Sequence, residues 1–210
     1  MNSGSYKTAL WLSYFTIAYN LIEGIASIGF GYVDETLSLF GFGIDSFIEM
    51  ISGFGILQMV IRIRRNPGSG ISRFEISALR ITGYGFYLLA FGLAAGVVLN
   101  IVQKHVPEST TLGAVIATLS IIVMFWLYRA KKKVAKSLNS EPLLSDANCT
   151  LVCIYMSVVL LLSSLVYEFT GFAYADAIGA AGLIYFSIKE GNEALEKARK
   201  KNHSCSCCKD

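Results

Sequence analysis

Six runs of about twenty residues, each nearly free of Lys, Arg, Asp and Glu, constrain this chain more than any other feature. A membrane-spanning helix needs about 20 apolar residues. Charged residues make up only 16% of the 210-residue chain, against about 25% in soluble domains. We therefore predict an all-α membrane protein, a bundle of six transmembrane helices. The expected spans are residues 9–30, 37–61, 76–102, 112–128, 147–167 and 173–188.

Lysine and arginine concentrate in alternate connections between the spans. One cluster follows the second span and another follows the fourth: Arg62, Arg64, Arg65 and Arg73, then Arg129, Lys131, Lys132, Lys133 and Lys136. Because basic loops remain in the cytoplasm, we expect both clusters and both termini to be cytoplasmic. These flanks explain the net charge of +3. They make the lipid bilayer the expected partner, and we expect no nucleic-acid partner.

Two acidic residues lie inside the second span. Asp45 and Glu49 are four residues apart, with Ser52 three further on, so all three share one face of a helix. A charged residue at the bilayer centre costs about 2.5–3.5 kcal/mol on insertion scales and usually marks a functional site. The middle of the predicted spans contains no Lys or Arg to neutralise the two acids. The pattern predicts a cation site, and a structural pairing is the alternative.

The fifth span repeats this spacing with softer ligands. Cys149 and Cys153 are one helical turn apart, although buried cysteines also pack as small hydrophobic residues. An offset of 104 residues maps Asp45 onto Cys149 and Glu49 onto Cys153. Since the second and fifth helices are predicted to run in opposite directions, this is an inverted-repeat relation, and transporters place their sites at such interfaces. Four ligands of this kind can form a tetrahedral Zn²⁺ site.

Further polar residues are secondary candidates for metal binding or a proton path. Glu23 in the first span is a candidate proton carrier or hydrogen-bond acceptor, with a structural role as the alternative, and Asp176 lies just inside the last span. We divide the chain into a transport domain at 1–196 and a basic cytoplasmic tail at 197–210. The tail offers soft metal ligands at His203, Cys205, Cys207 and Cys208. A disordered end or a palmitoylation site is the alternative for the tail.

These motifs resemble the cation diffusion facilitator family, whose six-helix membrane domain carries an x-three-spaced ligand pair on its second and fifth helices. Thr36 followed by Asp45 and Glu49 resembles the second-helix motif, and the Ala-Asp-Ala triplet at 175–177 resembles the start of the sixth helix. The Arg-Phe-Glu at 73–75 resembles the approach to the third helix. The resemblance covers nearly the whole chain. It aligns Cys149 with a position where the family has His or Asp, and Cys153 with a position where the family has Asp. Both cysteines depart from the family pattern.

An alternative alignment places Asp146 at the fifth-helix site. The distance to Asp176 then becomes too long by about two helical turns, so we prefer the cysteine alignment. Two family features are absent: the second-to-third loop has no His, and no cytoplasmic C-terminal domain follows the sixth span. Shortened members of this kind are known in the family.

The resemblance implies a metal exporter, and no enzyme or prosthetic group is expected. The expected cargo is Zn²⁺, or Cd²⁺ and other heavy metals, exchanged for protons by alternating access. We expect a multi-pass protein of a bacterial inner membrane, and a possible homodimer packed through Gly83, Gly85, Gly92 and Gly96. Two alternatives stay open. One is a membrane thiol oxidoreductase using Cys149 and Cys153, and the other is a metal sensor or delivery protein that binds through the tail.

Overall fold

The computed structural model describes residues 3–33, 36–66, 73–103, 111–138, 141–172 and 174–206. These residues form six α-helices and no strand, which confirms the predicted all-α bundle. The helices are α1 (Ser3–Val33), α2 (Leu37–Arg65), α3 (Arg73–Gln103), α4 (Thr111–Ser137), α5 (Glu141–Thr170) and α6 (Ala175–Ser206). Several helices extend beyond the predicted spans because their polar ends continue as helix past the apolar stretch. The extensions are longest in α4 and α6.

Four of the helices are long and apolar enough to cross a membrane. These candidate spans are Leu37–Arg65, Ile76–Leu99, Thr111–Ser137 and Asp146–Thr170. The other two helices have the length but carry more polar residues. In α1 the polar side chains of Asn20 and Glu23 are buried inside the bundle, and the second half of α6 is charged from Lys189 onward. The apolar outer surface is typical of a lipid-facing bundle; for example, Leu88 and Phe91 of α3 are more than 70% exposed.

Helices α2 and α5 cross the bundle in opposite directions. Leu39, near the start of α2, packs in one core cluster with Leu160 of α5. Glu49, ten residues further along α2, contacts Cys153, which precedes Leu160 on α5. This antiparallel arrangement is the one that the inverted-repeat relation requires.

The core is divided into two apolar clusters along the bundle axis. One contains Met124, Leu127 and Cys153, and the other contains Phe42 and Met156. Because Cys153 and Met156 are one helical turn apart, the two clusters meet at the level of the predicted ligands. Polar side chains on α1, α2 and α5 therefore lie between two packed layers.

Close helix contacts explain two glycines of the α1–α2 pair. A Cβ atom at Gly31 would lie 2.5 Å from the backbone nitrogen of Phe40, and one at Gly43 would lie 2.7 Å from the backbone nitrogen of Ile28. A larger residue would force the two backbones apart. These contacts fix the position of the acidic face of α2 against α1.

The glycines of α3 serve mainly to pack the bundle itself. A Cβ atom at Gly83 would meet Leu195 of α6 at 2.6 Å, and one at Gly96 would meet Leu37 of α2 at 2.8 Å. Gly85 likewise faces Ile48 of α2. Gly92 differs, because a Cβ atom there would meet no described atom within 4 Å. Of the four glycines that were predicted to pack a homodimer, Gly92 thus faces outward and is available for such a contact. Dimerisation itself stays a prediction.

Candidate metal site

The two predicted ligand pairs meet across the α2–α5 interface. The thiol of Cys153 donates a hydrogen bond to Oε1 of Glu49, its equivalent at an offset of 104 residues. The same thiol is also within reach of the backbone oxygen of Cys149, at 3.2 Å. A carboxylate and a thiol from antiparallel helices are therefore in direct contact, midway along the bundle.

Asp45 lies one turn from Glu49 on the same face of α2. Its side chain is only 2% exposed, and its Oδ1 atom has no hydrogen-bond partner among the described residues. A buried carboxylate oxygen without a partner is costly. This atom is consequently free to accept a proton or to bind a cation.

A cavity of about 60 Å³ opens beside the Glu49–Cys153 pair, and Cys149 lies in its wall. One water molecule needs about 10–15 Å³, so the cavity has room for an ion with a few waters. In the described part of the chain, no three His, Cys, Asp or Glu side chains are arranged as a ready metal site. The structure thus joins two of the four predicted ligands and keeps Asp45 and Cys149 one helical turn away.

Helix α1 supplies a hydrogen-bond network behind the acidic face. Glu23 accepts hydrogen bonds from the Tyr19 hydroxyl at 2.9 Å and from Ser46 Oγ at 3.1 Å. Asn20 Nδ2 donates to Oε2 of Glu49 at 3.3 Å. Glu23 is therefore an acceptor next to the candidate ligands, and its role as a proton carrier stays a prediction.

Asp176 lies far from the four candidate ligands. It accepts hydrogen bonds from the backbone nitrogens of Leu37 at 2.9 Å and Ser38 at 3.0 Å, and from the Ser38 hydroxyl. The first turn of a helix has unpaired N–H groups and a partial positive charge. Asp176 thus caps α2 from α6, seven residues before Asp45. No local sequence signal predicts this contact between residues 139 positions apart.

The sequence profile of the cation efflux transmembrane domain matches residues 13–200, which is most of the chain and includes all four candidate ligands. The chain belongs to the cation efflux family. The predicted resemblance is thereby confirmed. With its apolar helices, this assignment makes the chain an integral membrane protein, while the orientation of its termini stays a prediction.

Two curated relatives align with this cation efflux chain over most of its length. An uncharacterized transporter of Methanocaldococcus jannaschii is 32% identical over 173 residues, which are 80% of this chain and 60% of the relative. Transmembrane protein 163 of Xenopus laevis is 28% identical over 162 residues, which are 77% of this chain and 57% of that protein. The aligned part is thus well under two thirds of the length of either relative.

The cavity of this cation efflux protein has charged walls that the sequence did not single out. Lys131 of α4, Glu190 of α6 and Asp146 of α5 line it. Lys131 and Glu190 are each less than 8% exposed. No Lys or Arg lies in the middle of a predicted span. Lys131 lies three residues beyond the fourth predicted span, yet it lines the same cavity as Glu49. The periodic buried face of α4, through Met124 and Leu127, would have predicted that Lys131 points inward.

Glu190 lies two residues beyond the predicted sixth span. Burial, reinforced by the neighbouring charge of Glu193, raises the pKa of the Glu190 carboxyl to about 7. Lys197, which also lines the cavity, opposes this effect. Glu190 therefore changes charge near neutral pH at the wall of the cavity.

The tail candidates fall outside the described side chains. Helix α6 continues to Ser206, but the side chains of His203 and Cys205 and the whole of Cys207 and Cys208 lie beyond what the structure describes. Metal binding by the tail stays a prediction.

Proposed function

We propose that this protein exports a divalent thiophilic metal ion from the cytoplasm, with Zn²⁺ as the first candidate and Cd²⁺ as the second, in exchange for protons. The contact between Glu49 and Cys153 carries the proposal. It places a carboxylate and a thiol from two antiparallel helices in one polar layer, with Asp45 and Cys149 one turn away on the same helices. Membership of the cation efflux family supports transport as the activity.

The ligand chemistry supports a zinc-like cargo. Zn²⁺ accepts carboxylate oxygen and thiolate sulfur in tetrahedral sites, and thiolates favour soft metals over Mg²⁺ or Ca²⁺. We infer that the ion displaces the thiol proton that Cys153 donates to Glu49 and draws Asp45 and Cys149 inward to complete four ligands. Side-chain rotation and a small shift between α2 and α5 would achieve this.

Proton exchange follows from the same groups. A thiol must lose its proton to bind a metal ion and regains it when the ion leaves. Metal affinity therefore falls as the pH falls, and metal and proton fluxes become linked. Glu23, hydrogen-bonded to Ser46 beside Asp45, is the proposed acceptor for protons that leave the site.

The cavity supports an inward-facing conformation. It reaches from Glu49 to Lys131 and Lys197, which lie at the predicted cytoplasmic end, whereas Asp176 caps α2 at the opposite end. We infer that the metal ion enters from the cytoplasm in this state. A second state would open the capped end.

Transport by purified protein in proteoliposomes tests the proposal. Zn²⁺-dependent flux should be lost in Asp45→Ala, because a ligand disappears from the centre of the site. Glu196→Gln is the matched control, since Glu196 is exposed and pairs with Lys200 in the next helical turn. Undiminished Zn²⁺ flux in Asp45→Ala would refute the site.

The same assay separates the two alternatives. Deletion of residues 203–210 should leave flux in a transporter and abolish all metal binding in a protein that binds through its tail. A thiol oxidoreductase would require Cys149 and Cys153 to exchange disulfides, whereas both cysteines are free and Cys153 is bonded to Glu49. The homodimer, the cytoplasmic termini and the bacterial inner membrane are further parts of the proposal.

A further inference from the structure

Lys131 places a buried cation in the wall of the metal cavity. Its side chain is 6% exposed, although it belongs to the basic run 129–133. The neighbours of Lys131 point elsewhere: Arg129 lies over the ring of Phe125 at 4.4 Å, and Lys132 lies over the ring of Tyr128 at 4.9 Å. Lys131 is thus separated from the exposed basic surface at the end of α4.

Three oxygen atoms surround the Lys131 ammonium. It lies 3.1 Å from Oδ1 and 3.0 Å from Oδ2 of Asp146, and 3.0 Å from Oγ1 of Thr150. A buried ion pair often adds little net stability, because both charges lose their hydration. The same oxygen atoms are ligands that a divalent cation accepts. The ammonium therefore occupies a small oxygen site that suits an ion.

This oxygen site leads directly to the candidate thiol ligands. Asp146 precedes Cys149 by three residues and Cys153 by seven on α5, so the three lie along one side of the helix at rises of about 4.5 and 10.5 Å. All three line the same cavity. An ion that enters past Asp146 would next meet Cys149.

The opposite wall of the cavity offers further oxygen atoms. The hydroxyl of Thr82 lines the cavity, is 4% exposed and has no hydrogen-bond partner in the described part of the protein. The Glu190 carboxylate lines the same space from α6. These groups provide a place for an ion, or for an ammonium displaced from Asp146.

We propose that Lys131 is a built-in counter-cation at a first metal station formed by Asp146 and Thr150. An incoming divalent ion displaces the ammonium toward Glu190, binds Asp146 and then passes to Cys149 and Cys153. A monovalent ion has no charge advantage over the tethered ammonium, so Lys131 excludes it. This inference rests on the proposed function, since it describes how the cargo reaches the same ligands.

Transport kinetics in proteoliposomes test the inference, with Zn²⁺ as the probe and KM and maximal rate measured separately. Lys131→Gln should lower the KM for Zn²⁺ about tenfold, because nothing competes for Asp146. It should also make uptake sensitive to 100 mM K⁺ (roughly physiological), unlike the wild-type protein. Asp146→Asn should raise the KM about tenfold, because the station loses its charge while the ammonium remains.

The opposite directions of these two changes distinguish a station from a structural ion pair. If Lys131 and Asp146 form a purely structural pair, both variants should change the KM for Zn²⁺ in the same direction. Both should then also show less folded protein on size-exclusion chromatography. Lys133→Gln is the matched control on the exposed side of the same run and should retain the wild-type KM. Equal KM values for wild type, Lys131→Gln and Asp146→Asn would overturn the inference.

A double variant, compared with Asp146→Asn, covers the case in which Lys131→Gln does not fold. The double variant Lys131→Gln, Asp146→Asn removes both charges together. Its KM should be higher than that of the wild-type protein but rise less than in Asp146→Asn, because the station loses its charge and no ammonium remains. An unchanged KM in either would overturn the inference. Absence of Zn²⁺ flux in the wild-type protein would instead refute the proposed function, so the two failures are distinguishable.

Discussion

At the end of the bundle where α2 begins, Asp176 accepts three hydrogen bonds from α2, and Ser163 Oγ of α5 donates to the Ala175 oxygen of α6 at 2.8 Å. At the other end, long charged side chains such as Lys131 and Lys197 line a cavity. The first end is held by short bonds to backbone atoms, whereas the second is lined by side chains that can rotate. The difference favours metal access from the second end, and in the proposed transport cycle the Asp176 cap is the contact that would open.

Loss of the Asp176 cap should have the largest effect on stability. Asp176→Ala removes three hydrogen bonds at the start of α2 and should lower the free energy of unfolding by about 2–4 kcal/mol. Ser38→Ala, which removes only the hydroxyl donor, should cost about 1 kcal/mol. Unfolding titrations of both variants in detergent micelles measure the difference. Equal stability of Asp176→Ala and the wild-type protein would show that the capped end is held by other contacts.

A glycine at the same end should be the next most sensitive position. Gly31→Ala places a methyl group against the backbone of Phe40 and should cost about 1–3 kcal/mol. Gly92→Ala is the matched control, because its methyl group meets no described atom. The same titration compares the two variants. Similar losses at both positions would contradict the close α1–α2 contact.

Thiol labelling should distinguish the two ends directly. Cys149 lines the cavity, whereas Ser27 of α1 is fully buried, so Cys149 should react with a water-soluble maleimide at least about tenfold faster than a Ser27→Cys reporter. All labelling uses protein in which Cys205, Cys207 and Cys208 are changed to Ser. The protein that carries Ser27→Cys also carries Cys149→Ser. Comparable rates would mean that the cavity is closed to water.

The smallest effect concerns the Glu190 carboxyl at the open end. Because its pKa is raised to about 7, it is neutral below that pH and negative above it, and it attracts the cation only when negative. The KM for Zn²⁺ should therefore rise as the cytoplasmic pH falls from about 8 to 6, by about threefold more in the wild-type protein than in Glu190→Gln. Glu196→Gln should retain the wild-type profile. Superimposable profiles for wild type and Glu190→Gln would exclude this role.

The sequence predicted the fold and the pairing of two candidate ligands for different physical reasons. Apolar runs of membrane length leave few alternatives to a helical bundle, so six helices could be expected. The 104-residue offset paired Glu49 with Cys153, and the structure brings these two side chains into contact. The offset did not predict that Asp45 and Cys149 would lie outside this contact, because side-chain convergence depends on how α2 and α5 pack against each other.

The charged walls of the cavity were harder to predict. Lys131 belongs to a basic run that is typical of a cytoplasmic loop, yet α4 continues as helix through it and turns its side chain inward. Asp176 was singled out as an ionisable residue near a span, but only the packing of α6 against α2 reveals it as a cap. Both cases depend on contacts between distant segments, which local patterns do not report.

We propose that carboxylates of α2 and thiols of α5 together hold one metal ion. The most direct test is the ultraviolet charge-transfer band of Cd²⁺ bound to thiolate, measured on the full chain with Cys205, Cys207 and Cys208 changed to Ser. We expect a band that saturates at one Cd²⁺ per chain. It should disappear in the double variant Cys149→Ser, Cys153→Ser, and in Asp45→Ala it should saturate only at a higher Cd²⁺ concentration. A band that persists without Cys149 and Cys153, or no band at saturating Cd²⁺ in the parent protein, would contradict the claim.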